Sequence, residues 1–278
     1  MKRNLPAAAS FAFAIFAAAG GVFAQSTPKP VDPFAPPAKA DAPGAPAASA
    51  GAADVDALLD QLDQRGRTLD SFIADVELKE EDITLAIEST RTGKLWYQKL
   101  PDGSVRMKVS FVDRLDENNK RVDPIDFVLE NGRLIERQHV KKLEVRRQLV
   151  KEGEKLDPFK LGEGPVPLPI GQKKEEVKQQ FDVKLAKPEK EDPAGSAHIM
   201  LRPRAGTALH RKFGMIDVWV DQKTQMPVRI ETVDPKEEKV KSTTLKNVQI
   251  NPKLADADFQ LPKIDETQWN VTIETLKE

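Results

Sequence analysis

Val105-Arg106-Met107-Lys108-Val109-Ser110-Phe111 sets an apolar side chain at every second position. Successive side chains of a strand point to opposite faces, so this run reads as a strand with one apolar and one polar face. The same logic extends outward in both directions. Asn131-Gly132 lies between the apolar runs 127–130 and 133–137. Both of its positions tolerate positive φ, which makes it a strong signal for a two-residue hairpin. Upstream, Gly93-Lys94-Leu95-Trp96-Tyr97 reads as a strand that ends at the turn Pro101-Asp102-Gly103, and Ile83, Leu85 and Ile87 alternate with polar residues. Downstream, Leu143, Val145 and Leu149 continue the pattern, and Ile199 and Leu201 mark a further strand.

The C-terminal half repeats it with short connections. Ile216, Val218 and Val220 share a face, a turn follows at 221–224, Val228 and Ile230 come next, and a turn near 234–238 leads into a strand over 240–250. Short links between strands imply antiparallel neighbours. Helices are few. Val55, Leu58, Leu59, Leu62 and Leu69 have helical spacing behind Asp54, a candidate N-cap, with Gly66 near the expected helix end. A short charged helix is expected over 172–181, with Ile170, Val177 and Phe181 as its apolar contacts. The expected fold class is mainly β (α+β), a curved antiparallel sheet or incomplete β-barrel with helices packed on its inner side.

The N-terminal region is of a different kind. Lys2 and Arg3 precede an apolar, Ala-rich stretch from Leu5 to Phe23, and Val22 and Ala24 occupy the −3 and −1 positions of a cut before Gln25. Charged start, apolar core and small-x-small end make residues 1–24 a secretory signal peptide. Residues 25–53 are rich in Pro and Ala without apolar periodicity and read as an extended, disordered tether. The expected location is therefore the periplasm. The chain has no Cys, which removes disulfides, thiolate metal sites, thiol nucleophiles and a lipoprotein-type anchor. After cleavage, 41 basic and 44 acidic residues remain, a balance that gives no reason to expect nucleic acid.

The order of motifs over 54–262 resembles the periplasmic outer-membrane lipoprotein-carrier (LolA-like) family. The resemblance rests on Leu69-Asp70-Ser71-Phe72 after a short helix, Gly93-Lys94-Leu95-Trp96, and Asn131-Gly132. It continues through Val218-Trp219-Val220-Asp221, Met226-Pro227-Val228-Arg229-Ile230, Asn251-Pro252-Lys253-Leu254 and Phe259-Gln260-Leu261-Pro262. It implies an incomplete barrel with helices as a lid over an apolar cavity that shelters acyl chains. A carrier needs an apolar lining rather than a reactive group, since each methylene withdrawn from water contributes about 0.8 kcal/mol. The candidate lining is Leu95, Tyr97, Val105, Met107, Val109, Phe111, Val128, Ile199, Met200, Ile216 and Val218. Met107 and Met200 are flexible enough for varied cargo. Where the family often has an Arg that helps hold the lid, this chain has Gln98-Lys99-Leu100-Pro101, so Lys99 is the candidate lid contact. Lys99 offers a charge without the planar fork of donors. The segments 25–53, 113–126 and 263–278 depart from the family pattern.

Catalysis finds little support. His139, His198 and His210 lack metal-ligand spacing and read as surface histidines. No Gly-x-Ser-x-Gly elbow, Walker motif or Gly-x-Gly-x-x-Gly is present. Asp256, Asp258 and 80–82 read as solvated acidic turns, and Arg146-Arg147 and Arg202-Pro203-Arg204 as solvated strand ends. No cofactor or metal is expected. The expected function is a non-enzymatic, monomeric carrier of acylated lipoprotein or lipid, working between an inner-membrane release complex and an outer-membrane acceptor. A sensing or interaction module on the same fold is the alternative, and a periplasmic hydrolase is a distant third.

Overall fold

The computed structural model describes residues 48–117, 119–151, 154, 156 and 170–276, with side chains from Asp54 onward. The expected signal peptide and most of the expected tether, and the Pro-containing residues 162–169 of a loop expected over 162–171, lie outside the described residues.

Among the described residues, twelve strands form one sheet in the order β12-β6-β5-β4-β3-β2-β1-β11-β10-β9-β8-β7. The first meander runs β1 (Ser71–Asp82), β2 (Ile87–Lys99), β3 (Val105–Asp116), β4 (Asn119–Glu130), β5 (Arg133–Gln138) and β6 (Leu143–Gln148). The second runs β7 (Phe181–Leu185), β8 (Ser196–Pro203), β9 (Met215–Asp221), β10 (Pro227–Val233) and β11 (Lys239–Ile250). β11 pairs with β1 and joins the two meanders. Every pairing is antiparallel except the last, in which β12 (Asn270–Glu274) lies parallel to β6. The sheet does not close, since β12 and β7 are its two ends. This is the incomplete-barrel class expected.

Local chemistry explains the registers. Asn131 and Gly132 have φ of 51° and 69°, so the β4–β5 hairpin turns in two residues and Glu130 faces Arg133. Gly93 sits at a bulge against β3, where its Cα approaches the chain so closely that a Cβ would meet the Phe111 Cα at 2.8 Å. The bulge adds a residue and increases local twist, which helps curve the sheet.

Helix α1 (Ala48–Thr68) covers the inner face. Val55, Leu58, Leu59 and Leu62 are buried in the core with Phe72, Leu95, Met107, Ile199, Ile216 and Val218. Ile170, Val177 of α2 (Lys174–Gln180) and Phe181 complete the cover. Several expectations change here. Asp54 is not the N-cap, because α1 begins at Ala48, inside the stretch assigned to the tether. The Ala-rich residues before Asp54 are strong helix formers and continue the helix upstream. The expected strand through Ile83 and Leu85 is instead the β1–β2 hairpin turn, with Ile83, Leu85 and Ile87 about half exposed. The charged segment 113–126 forms the ends of β3 and β4.

The C-terminal residues do not hang free. From β11 the chain passes through α3 (Asp256–Phe259) and crosses the outer face of the sheet as a strap before entering β12. Phe259 is buried, the Arg106 guanidinium lies 4.2 Å from its ring centre, and Arg106 reaches Asp256 at 2.8 Å. Arg137 donates to the Pro262 carbonyl at 2.7 Å and forms an ion pair of 2.6 Å with buried Glu144.

Candidate functional site

The inner face of the sheet is the candidate site. Register places Phe72, Tyr97, Met107 and Leu129 in one row across β1 to β4, and Ala74, Leu95, Val109 and Phe127 in the next. Across the other meander, Leu201, Ile216 and Thr232 form one row and Ile199, Val218 and Ile230 another. Leu95, Tyr97, Met107, Val109, Phe111, Ile199, Ile216 and Val218 all belong to this one buried cluster, and Val105 packs at its margin. Phe72 stacks on Tyr97 with ring centres 5.4 Å apart.

Two candidates do not join them. Val128 pairs across from Lys108 and Ile135 and faces the outer side, where it is covered by the strap and lines a cleft of about 670 Å³ with Arg106, Arg137 and Phe259. Met200 sits between Ile199 and Leu201, and strand alternation turns it away from them. Lys99 is exposed at the end of β2, where its backbone N–H donates to the Asp70 carbonyl at 2.7 Å. No ion pair joins its side chain to α1 among the described residues.

The contacts that do hold α1 lie elsewhere. Asp60 pairs with Lys174 of α2 at 2.9 Å, and Asp56 pairs with Lys178. The hydrogen bond from Lys178 lowers the Asp56 pKa, and the hydrogen bond to Asp60 raises that of Lys174. Behind these pairs, Gly66 packs directly on Gly171, and the Gly171 N–H donates to the Leu62 carbonyl at 3.1 Å. At the helix exit, the Asn251 side-chain oxygen accepts from the N–H groups of Asp70 (2.9 Å) and Ser71 (3.2 Å). Its amide donates to the Thr68 carbonyl at 3.1 Å. Asn251 therefore ties the end of α1 to the start of β1, a role its place in the C-terminal motif gave no means of reading.

The histidines are more involved than a surface reading allows. His198 is largely buried: its Nε2 is 2.8 Å from Asp217, its ring stacks on Trp219 at 4.1 Å, and its Nδ1 is 3.8 Å from Asp192. Arg229 also lies over the Trp219 ring, at 4.4 Å. His139 is half-buried against Asp126 at 2.7 Å and Trp269, whereas His210 is exposed. Burial works against the Asp192 carboxylate. The Glu189 N–H, the Trp219 indole N–H and the His198 and Arg229 charges outweigh it and leave its pKa lowered. Among the described residues, no group of three or more His, Asp or Glu side chains is arranged to hold a metal ion. Arg146 and Arg147 are engaged rather than free, with Glu144, Glu266, Glu136 and Glu274 as partners. Arg204 pairs with Asp182 at 3.0 Å.

No protein-family profile matches the chain, and no curated protein matches it in sequence. Solved structures do. A conserved protein from Thermus thermophilus aligns over 78% of this chain and 98% of its own, with 11% identity and a TM-score of 0.46. The MucA/MucB complex of Pseudomonas aeruginosa aligns over 75% of this chain, with 16% identity and a TM-score of 0.43, and the match spans only 61% of that chain. A LolA superfamily protein from Nitrosomonas europaea aligns over 74% of this chain and 97% of its own, with 13% identity and a TM-score of 0.31. At these identities the likeness concerns the fold. What the architecture defines directly is an open antiparallel sheet with a helix-covered apolar face, the class of fold expected from the lipoprotein-carrier resemblance.

Proposed function

We propose that the chain is exported, loses residues 1–24, and works in the periplasm as a carrier. It receives acyl chains of lipoproteins or another lipid on the inner face of its sheet and moves them toward the outer membrane. Its expected partners are an inner-membrane donor and an outer-membrane acceptor, and it performs no chemistry on its cargo. The supporting observation is the kind of cover on the inner face. One continuous apolar surface spans the sheet and is covered not by a second sheet but by a helix. That helix is latched at its rim by exposed ion pairs and a Gly–Gly contact.

Energetics suit exchange at this face. Val55, Leu58, Leu59 and Leu62 of α1 are fully buried, and each such side chain contributes about 1.5–3 kcal/mol by leaving water. An acyl chain of about fourteen methylenes contributes about 11 kcal/mol on the same scale. Helix and cargo therefore compete for the inner face on near-equal terms. The exposed rim pairs add little to the closed state, because exposed ion pairs offset their Coulomb gain with desolvation and lost side-chain freedom.

The test is native mass spectrometry on full-length protein exported to a periplasm and purified without detergent, with fluorescent fatty-acid binding alongside. Asp60→Cys and Lys174→Cys, joined by a short bismaleimide, fasten α1 to α2 in a chain free of other thiols. Binding that is present in the open protein and lost in the fastened one is the expected result. An empty protein that also ignores the fatty acid overturns the carrier reading and favours a module that docks other proteins.

A further inference from the structure

The edge of the sheet at β6 holds a feature that the acyl-binding reading does not use. β12 is five residues long, and it is the only strand among the described residues to pair in parallel. None of its side chains is buried: Val271 is half-buried, and Ile273 is 68% exposed. A strand that buries so little apolar surface is held mainly by its backbone ladder and a few side-chain contacts. These are the Glu274–Arg147 pair at 2.8 Å, the Asn270 N–H to the Lys142 carbonyl at 2.8 Å, and Trp269 against His139 and Arg137.

What lies beneath β12 is fixed without it. Arg147 is also held by Glu136 at 2.9 Å, and Arg146 by Glu144 at 2.6 Å and by Glu266 of the strap. Arg137, Glu144 and the Pro262 carbonyl form a buried knot that does not involve β12. If β12 leaves, β6 therefore presents a straight row of backbone donors and acceptors with two arginines already in place. Such an edge is a template for an added strand.

We propose that the β6 edge is a docking site for an extended segment of a partner protein, and that β12 is a built-in occupant which this segment displaces. β12 shows what the edge recognises. It takes a half-buried β-branched residue at the place of Val271 and a carboxylate at the place of Glu274, which meets Arg147. The partner segment is thus a short acidic β-strand, paired in parallel with residues 143–147. This inference is independent of whether the inner face takes lipid.

The test uses the full-length protein and a labelled peptide with the sequence of residues 268–278. Glu274→Lys in the protein weakens the resident strand, and the peptide then binds at least about tenfold more tightly than to the unaltered chain. Adding Arg147→Ala to that variant abolishes binding, as does Glu274→Lys in the peptide. Thr272→Cys with Val145→Cys, opposite each other in the parallel pair, fastens β12 and blocks the site. Equal peptide binding to the fastened protein would mean that strands add outside β12 and would overturn displacement, as would failure of the Glu274→Lys protein to bind. Hydrogen exchange on the unaltered chain gives a second measurement. The amides of 270–274 are expected to exchange about a hundredfold faster than those of central β1 and β2. Equal protection overturns the proposal without any variant.

Discussion

A Cβ on Gly66 would lie 2.5 Å from the backbone nitrogen of Gly171 and closer still to its Cα. The lid helix and the segment leading into α2 therefore touch backbone to backbone, and the Gly171 N–H reaches the Leu62 carbonyl across this contact. Gly66→Ala places a methyl group where only backbone can give way. Overpacking of this kind costs about 1–3 kcal/mol. The helix propensity of Ala returns about 1 kcal/mol of it, so the global loss is small. The local effect is larger. α1 is expected to stand off the sheet, with faster hydrogen exchange over 54–68 and increased binding of an apolar dye. Unchanged exchange in α1 would show that the contact does not hold the lid.

Asn251 makes the complementary prediction at the other end of the helix. Its side chain bonds Thr68, Asp70 and Ser71, and the Ser71 hydroxyl donates to the Pro252 carbonyl at 2.7 Å. Asn251 also holds a positive φ of 53°, a conformation Asn tolerates better than most residues. Asn251→Ala loses all three bonds and is expected to cost about 2–3 kcal/mol, at about 1 kcal/mol per bond. Asn251→Gly, which keeps the backbone free, separates the conformational part from the bonding part. Denaturant midpoints of the two variants measure both. Equal stability to the unaltered chain would show that Asn251 does not tie α1 to β1.

Much of this architecture is legible in the residues, and the parts that are not have physical reasons. The Asn131-Gly132 turn fixes one hairpin outright, because few other pairs accept positive φ twice. Alternation identifies β3 and β9 and sets Val109 and Val218 each on the apolar face of its strand, without saying which face of the sheet that is. Parity alone also requires Ile199 and Met200 to face opposite ways, so the two cannot share a lining. Val128 is harder. Phe127, Val128 and Leu129 are all apolar, and only the turn register shows that the middle one faces outward. Its burial comes from the strap, whose path across the sheet is set by Arg106 and Arg137 finding Asp256 and the Pro262 carbonyl. These contacts join residues more than a hundred positions apart, which no local pattern encodes. Ile83, Leu85 and Ile87 mislead for the opposite reason: their alternation is that of a strand, but the hairpin turns through Ile83 and Leu85, and Ile87 already begins β2.

The Arg137–Glu144 pair tests how firmly the strap is anchored. Both side chains are almost fully buried, and their Nε to Oε2 distance is 2.6 Å. Removing one partner of a buried pair leaves an uncompensated charge and costs about 3–5 kcal/mol. Glu144→Gln strands the Arg137 charge and is expected to fall in this range by chemical denaturation, whereas Arg137→Met leaves Glu144 paired with Arg146 at 2.6 Å and is expected to cost less. The double variant is expected to be less destabilised than the sum of the two, since neither charge is then stranded. Additive losses would indicate that Arg137 acts mainly through Pro262 and Trp269.

Acid tests the cluster around Trp219. The Trp219 indole N–H donates to Asp192 at 2.5 Å, and the Glu189 N–H donates to the same carboxylate at 2.9 Å. Together with the His198 and Arg229 charges these overcome burial and lower the Asp192 pKa. A carboxylate with a lowered folded-state pKa stabilises the fold at any pH above its ordinary value. That contribution is lost as pH falls from there through the lowered value. With Trp96→Phe and Trp269→Phe leaving Trp219 as the sole indole, its emission is expected to change over that acid window. Asp192→Asn in the same background is expected to show the altered emission already at neutral pH and to lose the acid transition. If Asp192→Asn instead keeps the neutral emission and titrates as before, the acid response belongs to another carboxylate, with Asp217 beside His198 the next to replace.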